Sequence, residues 1–188
     1  MLGPVLRGDR ITLRPRLRDY AMVFVHHLQD PDVTKLLNTN KSAPTLEEEL
    51  GYLDESSEDG SSIHWAIFFE GNCIGSVSIE NIDSLHGHCN MGLFIGEPGL
   101  WGLGLGKDTA ETVVEYMFNE YPIRHIRSDY FESNEASKHL LASLAFKVCG
   151  RYHEAFFSEG KYVDHVMMEL SRENWLENIQ EATEKDPE

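Results

Sequence analysis

The stretch Gly99-Leu100-Trp101-Gly102-Leu103-Gly104-Leu105-Gly106-Lys107 constrains this chain more than any other. Upstream, Cys89 to Ile95 reads as a strand. Downstream, Ala110, Val113, Val114 and Met117 recur at i, i+3, i+4, i+7, the spacing of one helix face. The glycines let the backbone turn tightly and approach a ligand. The first amides of a helix have no internal partner and carry partial positive charge. Strand, glycine turn and helix together predict a main-chain pocket for a phosphate or pyrophosphate. No Gly-Lys-Ser/Thr closes the stretch, so it is not a Walker loop. Gly102-x-Gly104-x-Gly106 also lacks the GxGxxG spacing of a dinucleotide fold.

A main-chain pocket suits this chain, whose formal charge is −16 from 16 basic and 32 acidic residues. So acidic a surface cannot displace counterions along a nucleic acid, and no nucleic-acid partner is expected. It suits a cationic substrate better. A length of 188 residues fits a single domain over 1–188, large enough to bury a core without disulfides. Cys73, Cys89 and Cys149 are an odd, widely spaced set, which fits small buried thiols in a reducing compartment. No apolar run approaches membrane-spanning length, and the first residues read as neither signal peptide nor anchor. The expectation is a cytoplasmic protein with no membrane partner. His86-Gly87-His88 reads as turn, and no metal site is expected.

The remaining pattern supplies the frame. Arg10 to Arg14 alternates as a strand that Pro15 ends. Asp19 can cap a helix running to about Gln29. Thr45-Leu46-Glu47-Glu48 has the form of a capping box and predicts a helix ending before Gly60. Ile63–Phe69 and Cys73–Ile79 flank the Gly71-Asn72 turn as a hairpin. Ile123–Phe131 reads as a strand. Ser133 or Asn134 caps a helix with stripe Ala136, Leu140, Leu141 and Leu144. Strands around 147–157 and 161–170 join through Ser158-Glu159-Gly160, and Ser171 caps a C-terminal helix. The order β-α-α-β-β-β-α-β-α-β-β predicts an α+β fold: a mixed, mostly antiparallel sheet of about seven strands with helices on both faces. Its core spans about 8–170, and 171–188 form a helix and acidic tail.

Trp101-Gly102-Leu103-Gly104-Leu105-Gly106 resembles the acyl-CoA pyrophosphate loop of the GNAT N-acetyltransferase superfamily, Arg/Gln-x-x-Gly-x-Gly/Ala. Trp in first position is similar to the RimJ/RimL-like branch. Asn134-Glu135-Ala136-Ser137 followed by Leu144-Ala145-Phe146 resembles that branch's Asn-x-x-Ser...Leu-Gly-Phe, with Ala145 replacing the usual Gly. Leu13-Arg14-Pro15 and Gly160-Lys161-Tyr162-Val163-Asp164 extend the likeness over roughly 8–170.

The resemblance implies the GNAT fold and transfer of an acetyl group from acetyl-CoA directly to a primary amine. It implies that backbone groups of Leu93, Phe94 and Ile95 pair with the pantetheine arm. Trp101 and Gly102 then open the loop, and amides of Leu103, Gly104, Leu105, Gly106 and Lys107 hold the pyrophosphate. Asn134 matches the position that bonds the pantetheine arm, a role that competes with simple capping of its helix. Ser137 is implied as the donor to the departing thiolate, because Leu141 stands where other relatives carry a tyrosine. Asn90 stands where relatives often carry a Glu base; Glu154, on the penultimate strand close to where the branch places a carboxylate, is the implied base, with a water relay competing.

The implied acceptor is a protein or peptide N-terminus. A small polyamine or aminoglycoside stays open, because Glu47, Glu48, Glu49, Asp54, Glu55, Glu58 and Asp59 would draw a polycation. A non-catalytic acyl-CoA-binding module stays open as well. A homodimer is compatible with the branch.

Overall fold

The computed structural model describes residues 2–37, 44–58, 60–158 and 160–185. Asp59, Glu159 and residues 186–188 of the expected tail lie outside the described residues, as do the side chains of Glu55 and Glu58.

Eight strands form one sheet in the order β1-β2-β3-β4-β5-β6-β8-β7. They are β1 (Leu6–Arg7), β2 (Thr12–Pro15), β3 (Ile63–Phe69), β4 (Asn72–Asp83), β5 (His88–Ile95), β6 (His125–Phe131), β7 (Lys147–Ser158) and β8 (Lys161–Ser171). Every neighbouring pair is antiparallel except β5 and β6. A parallel pair needs a crossover, which α4 (Leu105–Glu120) provides. The expected mixed sheet is therefore present, with one strand more than the expected seven. The extra strand, β1, is two residues paired as Leu6↔Leu13 and Arg7↔Thr12, too short to leave a periodic signal.

The other helices are α1 (Ala21–His27), α2 (Pro31–Leu36), α3 (Leu46–Glu58), α5 (Glu135–Ser143) and α6 (Arg172–Lys185). The helix expected from Asp19 to about Gln29 is α1, shorter at both ends, and α2 follows beyond it as a further helix. Asp19 sits inside a 3₁₀ turn, Arg18–Tyr20, and no side chain caps α1. Asp30 accepts from the Asp32 amide at 2.8 Å and Pro31 opens α2, so Asp-Pro-Asp starts a new helix. The capping box of α3 forms as expected. The Thr45 amide donates to Glu48 Oε2 at 2.8 Å, and the Glu48 amide donates to Thr45 Oγ1 at 3.2 Å.

The main core lies between the sheet and α4. Val113, Val114, Met117 and Phe118 of α4 are all at most 2% exposed against Val77, Ile79 and Ile126. Burial of each such side chain contributes roughly 1.5–3 kcal/mol before entropy is counted. A smaller cluster on the opposite face joins Phe24, Ala66 and Phe68, with Phe94 packed against it. Of the expected α5 stripe, Leu141 and Leu144 are buried, Leu140 is half-buried and Ala136 is exposed.

Two side-chain ties reach across long stretches of chain. Asp108, in the first turn of α4, accepts from the amides of Asp9, Arg10 and Ile11 at 2.9, 2.8 and 3.1 Å. Arg10 Nη1 donates to the Leu103 carbonyl at 2.6 Å. The turn before β2 is thereby fastened to the glycine turn and to the helix behind it.

Candidate active site

The site begins where the sheet comes apart. β5 and β6 pair only at His88↔His125, Cys89↔Ile126 and Asn90↔Arg127. Beyond that point β5 stays with β4 and β6 stays with β8, so a gap opens between Met91–Ile95 and Ser128–Phe131. The Ser128 hydroxyl donates to the Met91 carbonyl at 2.9 Å and closes the ladder where its backbone partner is lost.

Strand alternation decides which peptide groups face the gap. The Gly96 amide donates to the Ile74 carbonyl at 2.7 Å. In the β4–β5 register this makes Ser76↔Phe94 and Ser78↔Gly92 the hydrogen-bonded pairs, so Met91, Leu93 and Ile95 turn their peptide groups toward the gap. The Ile95 carbonyl is taken by the Trp101 indole N–H at 2.9 Å. That leaves the Leu93 N–H and C=O and the Ile95 N–H without a strand to pair with. Of the three residues expected to hold the pantetheine arm, Leu93 and Ile95 turn their peptide groups to the gap. Phe94 is not: its peptide groups are committed to Ser76, and its ring stands edge-on to His27 at 6.3 Å.

The glycine turn follows at once. Gly102 and Gly104 have φ of 77° and 81°, a region only glycine enters cheaply. A Cβ at either would meet nothing within 4 Å, so open space lies in front of the turn. Gly104 is the N-cap of α4, and no side chain caps that end. The first amides of a 16-residue helix are thus left for a ligand. The fit to an anionic diphosphate rests on these uncapped amides.

A cavity of about 840 Å³ runs along the gap. Trp101, Gly102, Gly104, Leu105, Gly106 and Lys107 line it, as do Leu93, Phe94, Ile95, Asn134 and Ser137. Leu103 does not; it is the outward residue of the turn, and Arg10 holds its carbonyl. Asn134 is buried, and its Oδ1 accepts from the Ser137 amide at 3.0 Å as the cap of α5. Its Nδ2 donates to the Leu36 carbonyl at 3.1 Å, which ties α2 to α5 across the cavity. One Nδ2 hydrogen remains for a ligand. Ser137 is half-buried with its side chain on the cavity wall.

Glu154 is not brought to the cavity. It lies on the exposed edge strand β7 at φ 49°, inside a register shift between Tyr152 and Phe156. Its amide donates to Asp164 Oδ1 at 2.9 Å. Strand alternation between His153 and Glu154 does not survive this bulge. His153 Nδ1 is itself 3.1 Å from Asp164 Oδ2. Asn90, and its cross-strand partner Glu80, also lie outside the cavity lining.

Sequence reasoning missed the opposite wall. Arg16 and Tyr52 line it, with the Arg16 guanidinium over the Phe24 ring at 4.3 Å and 2.5 Å from Glu49 Oε1. Burial pushes the Glu49 carboxyl up, with Arg16 opposing it. Ser76 and Ser78 line the floor, and Asp129 of β6 lines the far rim. Asp129 Oδ2 lies 2.6 Å from His165 Nε2. The period-2 pattern of His125–Phe131 groups residues 125, 127, 129 and 131, but it does not say which face is the cleft.

Cys89 is buried and its thiol is pushed up to about 12 by desolvation; Cys73 is half-buried and Cys149 is exposed, contrary to the expected burial. No helix among the described residues is long and apolar enough to cross a membrane. No group of three or more His, Cys, Asp or Glu among them could hold a metal ion.

Comparison with known proteins converges on the same architecture. Residues 10–147 match the family model described as an acetyltransferase (GNAT) domain. The chain is 30% identical over 131 residues to the [ribosomal protein uS5]-alanine N-acetyltransferase of Escherichia coli K12, covering 67% of this chain and 66% of that enzyme. It is 24% identical over 174 residues to the uncharacterized N-acetyltransferase p20 of Bacillus licheniformis, covering 90% and 97%. Among solved structures, the spermidine N-acetyltransferase of Vibrio cholerae in complex with CoA and spermine superposes with a TM-score of 0.80 at 20% identity, covering 90% and 99%. Split sheet and uncapped helix define the class, a transferase that takes its acyl group from a diphosphate-bearing carrier. The chain belongs to the GNAT family: it is an N-acetyltransferase with acetyl-CoA as co-substrate, and the ribosomal-protein acetyltransferase among its relatives is consistent with the RimJ/RimL-like resemblance.

Proposed function

We propose that the acceptor is the α-amine of a protein or peptide N-terminus, acetylated by direct transfer. One observation carries this reading. Among the described residues lining the cavity, Asp129 is the one carboxylate. A polyamine or aminoglycoside brings several cations and needs several anions in reach.

Three carboxylates of the acidic helix that suggested a polycation have partners inside the chain. Glu48 is bonded to Thr45, Glu49 to Arg16 and Asp54 to Arg18. One carboxylate matches one ammonium. The relative at 30% identity is named a [ribosomal protein uS5]-alanine N-acetyltransferase, a protein-directed acetyltransferase, which supports the same reading.

The residues divide the work. The Leu93 backbone and the α4 amides orient acetyl-CoA, which supplies the acetyl thioester. The acceptor nitrogen attacks the carbonyl from the face lined by Ser76, Ser78 and Phe94. The Ser137 hydroxyl donates to the sulfur as the C–S bond breaks, which keeps the leaving group from re-forming it. No cysteine is among the described lining residues, and the Cys89 thiol is held protonated, which favours direct transfer over an acetyl-cysteine.

The test is thiol release with acetyl-CoA and a panel of amines at pH 7. An alanine-starting peptide should exceed spermidine and an aminoglycoside in kcat/KM by about tenfold or more, roughly what one unmatched charge is worth. A preference for spermidine would overturn the α-amine reading.

A further inference from the structure

Acetylation of an ammonium releases a proton, and the residue expected to take it, Glu154, is outside the cavity. We infer that Asp129 is the general base of this enzyme and that His165 is its positioning residue. The proposal rests on the α-amine reading only for the acidity of the acceptor, because any amine must lose the same proton.

Asp129 sits one residue past Ser128, where the β5–β6 ladder ends, so its carboxylate stands at the mouth of the gap. Direct antiparallel partners share a face of the sheet. Asp129 pairs with Met167 and Phe131 pairs with His165, which places His165 diagonally beside Asp129 on one face. His165 is held by aromatic rings: it stacks on Phe131 with centroids at 5.3 Å and meets the edge of Phe156 at 5.3 Å. Its side chain is 19% exposed, whereas that of Asp129 is 55% exposed. The half-buried imidazole holds one carboxylate oxygen at 2.6 Å, on a residue that lines the cavity. The other ionisable groups around it are Arg127, Glu169 and Tyr152 on the same face, and Arg16, Tyr52, Lys107, Tyr130 and His139 on the cavity wall. None of these is a carboxylate that lines the cavity.

The step balances without a further reagent. Asp129 takes one proton from the acceptor ammonium, directly or through one water. The freed lone pair forms the C–N bond to the acetyl carbon, and the C–S bond breaks with its electron pair on sulfur. The second nitrogen proton goes to sulfur and yields the free thiol. Asp129 then returns its proton to solvent, which reaches its half-exposed carboxyl.

The experiment is Asp129→Asn, assayed with the amine that the wild type uses best. The expected kcat at pH 7 falls by about 100-fold or more, while CoA affinity by calorimetry is unchanged. The pH profile separates the base from a structural role. Wild-type kcat/KM stays flat between about pH 6 and 7.5, because the base accepts the proton from the ammonium. In Asp129→Asn only the neutral amine reacts, so kcat/KM climbs about tenfold per pH unit toward the α-amine value near 8. His165→Ala shifts the profile in the same direction, and His165→Gln, which keeps a donor, restores it in part. Wild-type kcat in Asp129→Asn, or a slower variant whose profile stays flat, would overturn the proposal. Activity on spermidine but not on peptides would sink the α-amine reading and leave Asp129 to be judged by these same profiles.

Discussion

The glycine turn and the β7–β8 hairpin are built on opposite principles. The turn works through its backbone: two left-handed glycines, an uncapped helix and a strand edge with no neighbour. The hairpin works through side chains, gathered by a bulge around one carboxylate. Asp164 accepts from Arg151 at 2.9 Å, from the Glu154 amide at 2.9 Å and from His153 at 3.1 Å. Backbone devices demand particular residue types at adjacent positions. Side-chain devices need only that distant residues meet, and a single extra residue in a strand changes which ones do.

The largest effect that would break this contrast is at the turn. Gly104→Glu places a bulky residue at φ 81° and a carboxylate before the α4 amides. CoA affinity measured by calorimetry should fall by at least about 100-fold, from strain and like-charge repulsion together. Retained affinity would remove the diphosphate from this turn.

A smaller effect tests the same backbone logic at the end of α5. Ala145 has φ 64°, and its amide and that of Phe146 donate to Ala142 and Leu141 at 3.1 Å each. This is a Schellman cap with alanine in the seat that favours glycine. Ala145→Gly should therefore raise stability by about 1 kcal/mol, seen as a melting shift of about 3 °C. A lower melting temperature would show that the cap carries no strain.

The smallest effect belongs to the hairpin. The Glu154 amide first, and the Arg151 guanidinium next, hold the Asp164 carboxyl down to about 2. Its folded value lies below its unfolded one, so its contribution is complete above the ordinary value of 3.8 and is lost as pH falls through about 2. Wild type should lose melting temperature between pH 4 and about pH 2 more steeply than Asp164→Asn. Parallel curves would show that the knot contributes nothing, as exposed pairs often do.

The same contrast explains which features were legible in the amino-acid sequence. The Thr45–Glu48 box, the Asn134 cap and the buried stripe of α4 were legible, because each is a local pattern with one local solution. The turn was legible for the same reason, and so was the family. Asp30-Pro31 was equally local, but the helix it opens is six residues long, too short to leave a periodic signal. The resemblance implies Leu93, Phe94 and Ile95 as one group, whereas the β4 register gives the Phe94 peptide groups to Ser76. Asp129 was illegible because its importance lies in what β6 lacks: a neighbour beyond Arg127.

The Asp108 and Arg10 ties have a practical consequence. Residues 9–11 and the glycine turn are separated by about ninety positions yet share hydrogen bonds. A purification tag, truncation or substitution near Arg10 would therefore register first as poor coenzyme retention. An assay scored only by turnover would blame the wrong end of the polypeptide.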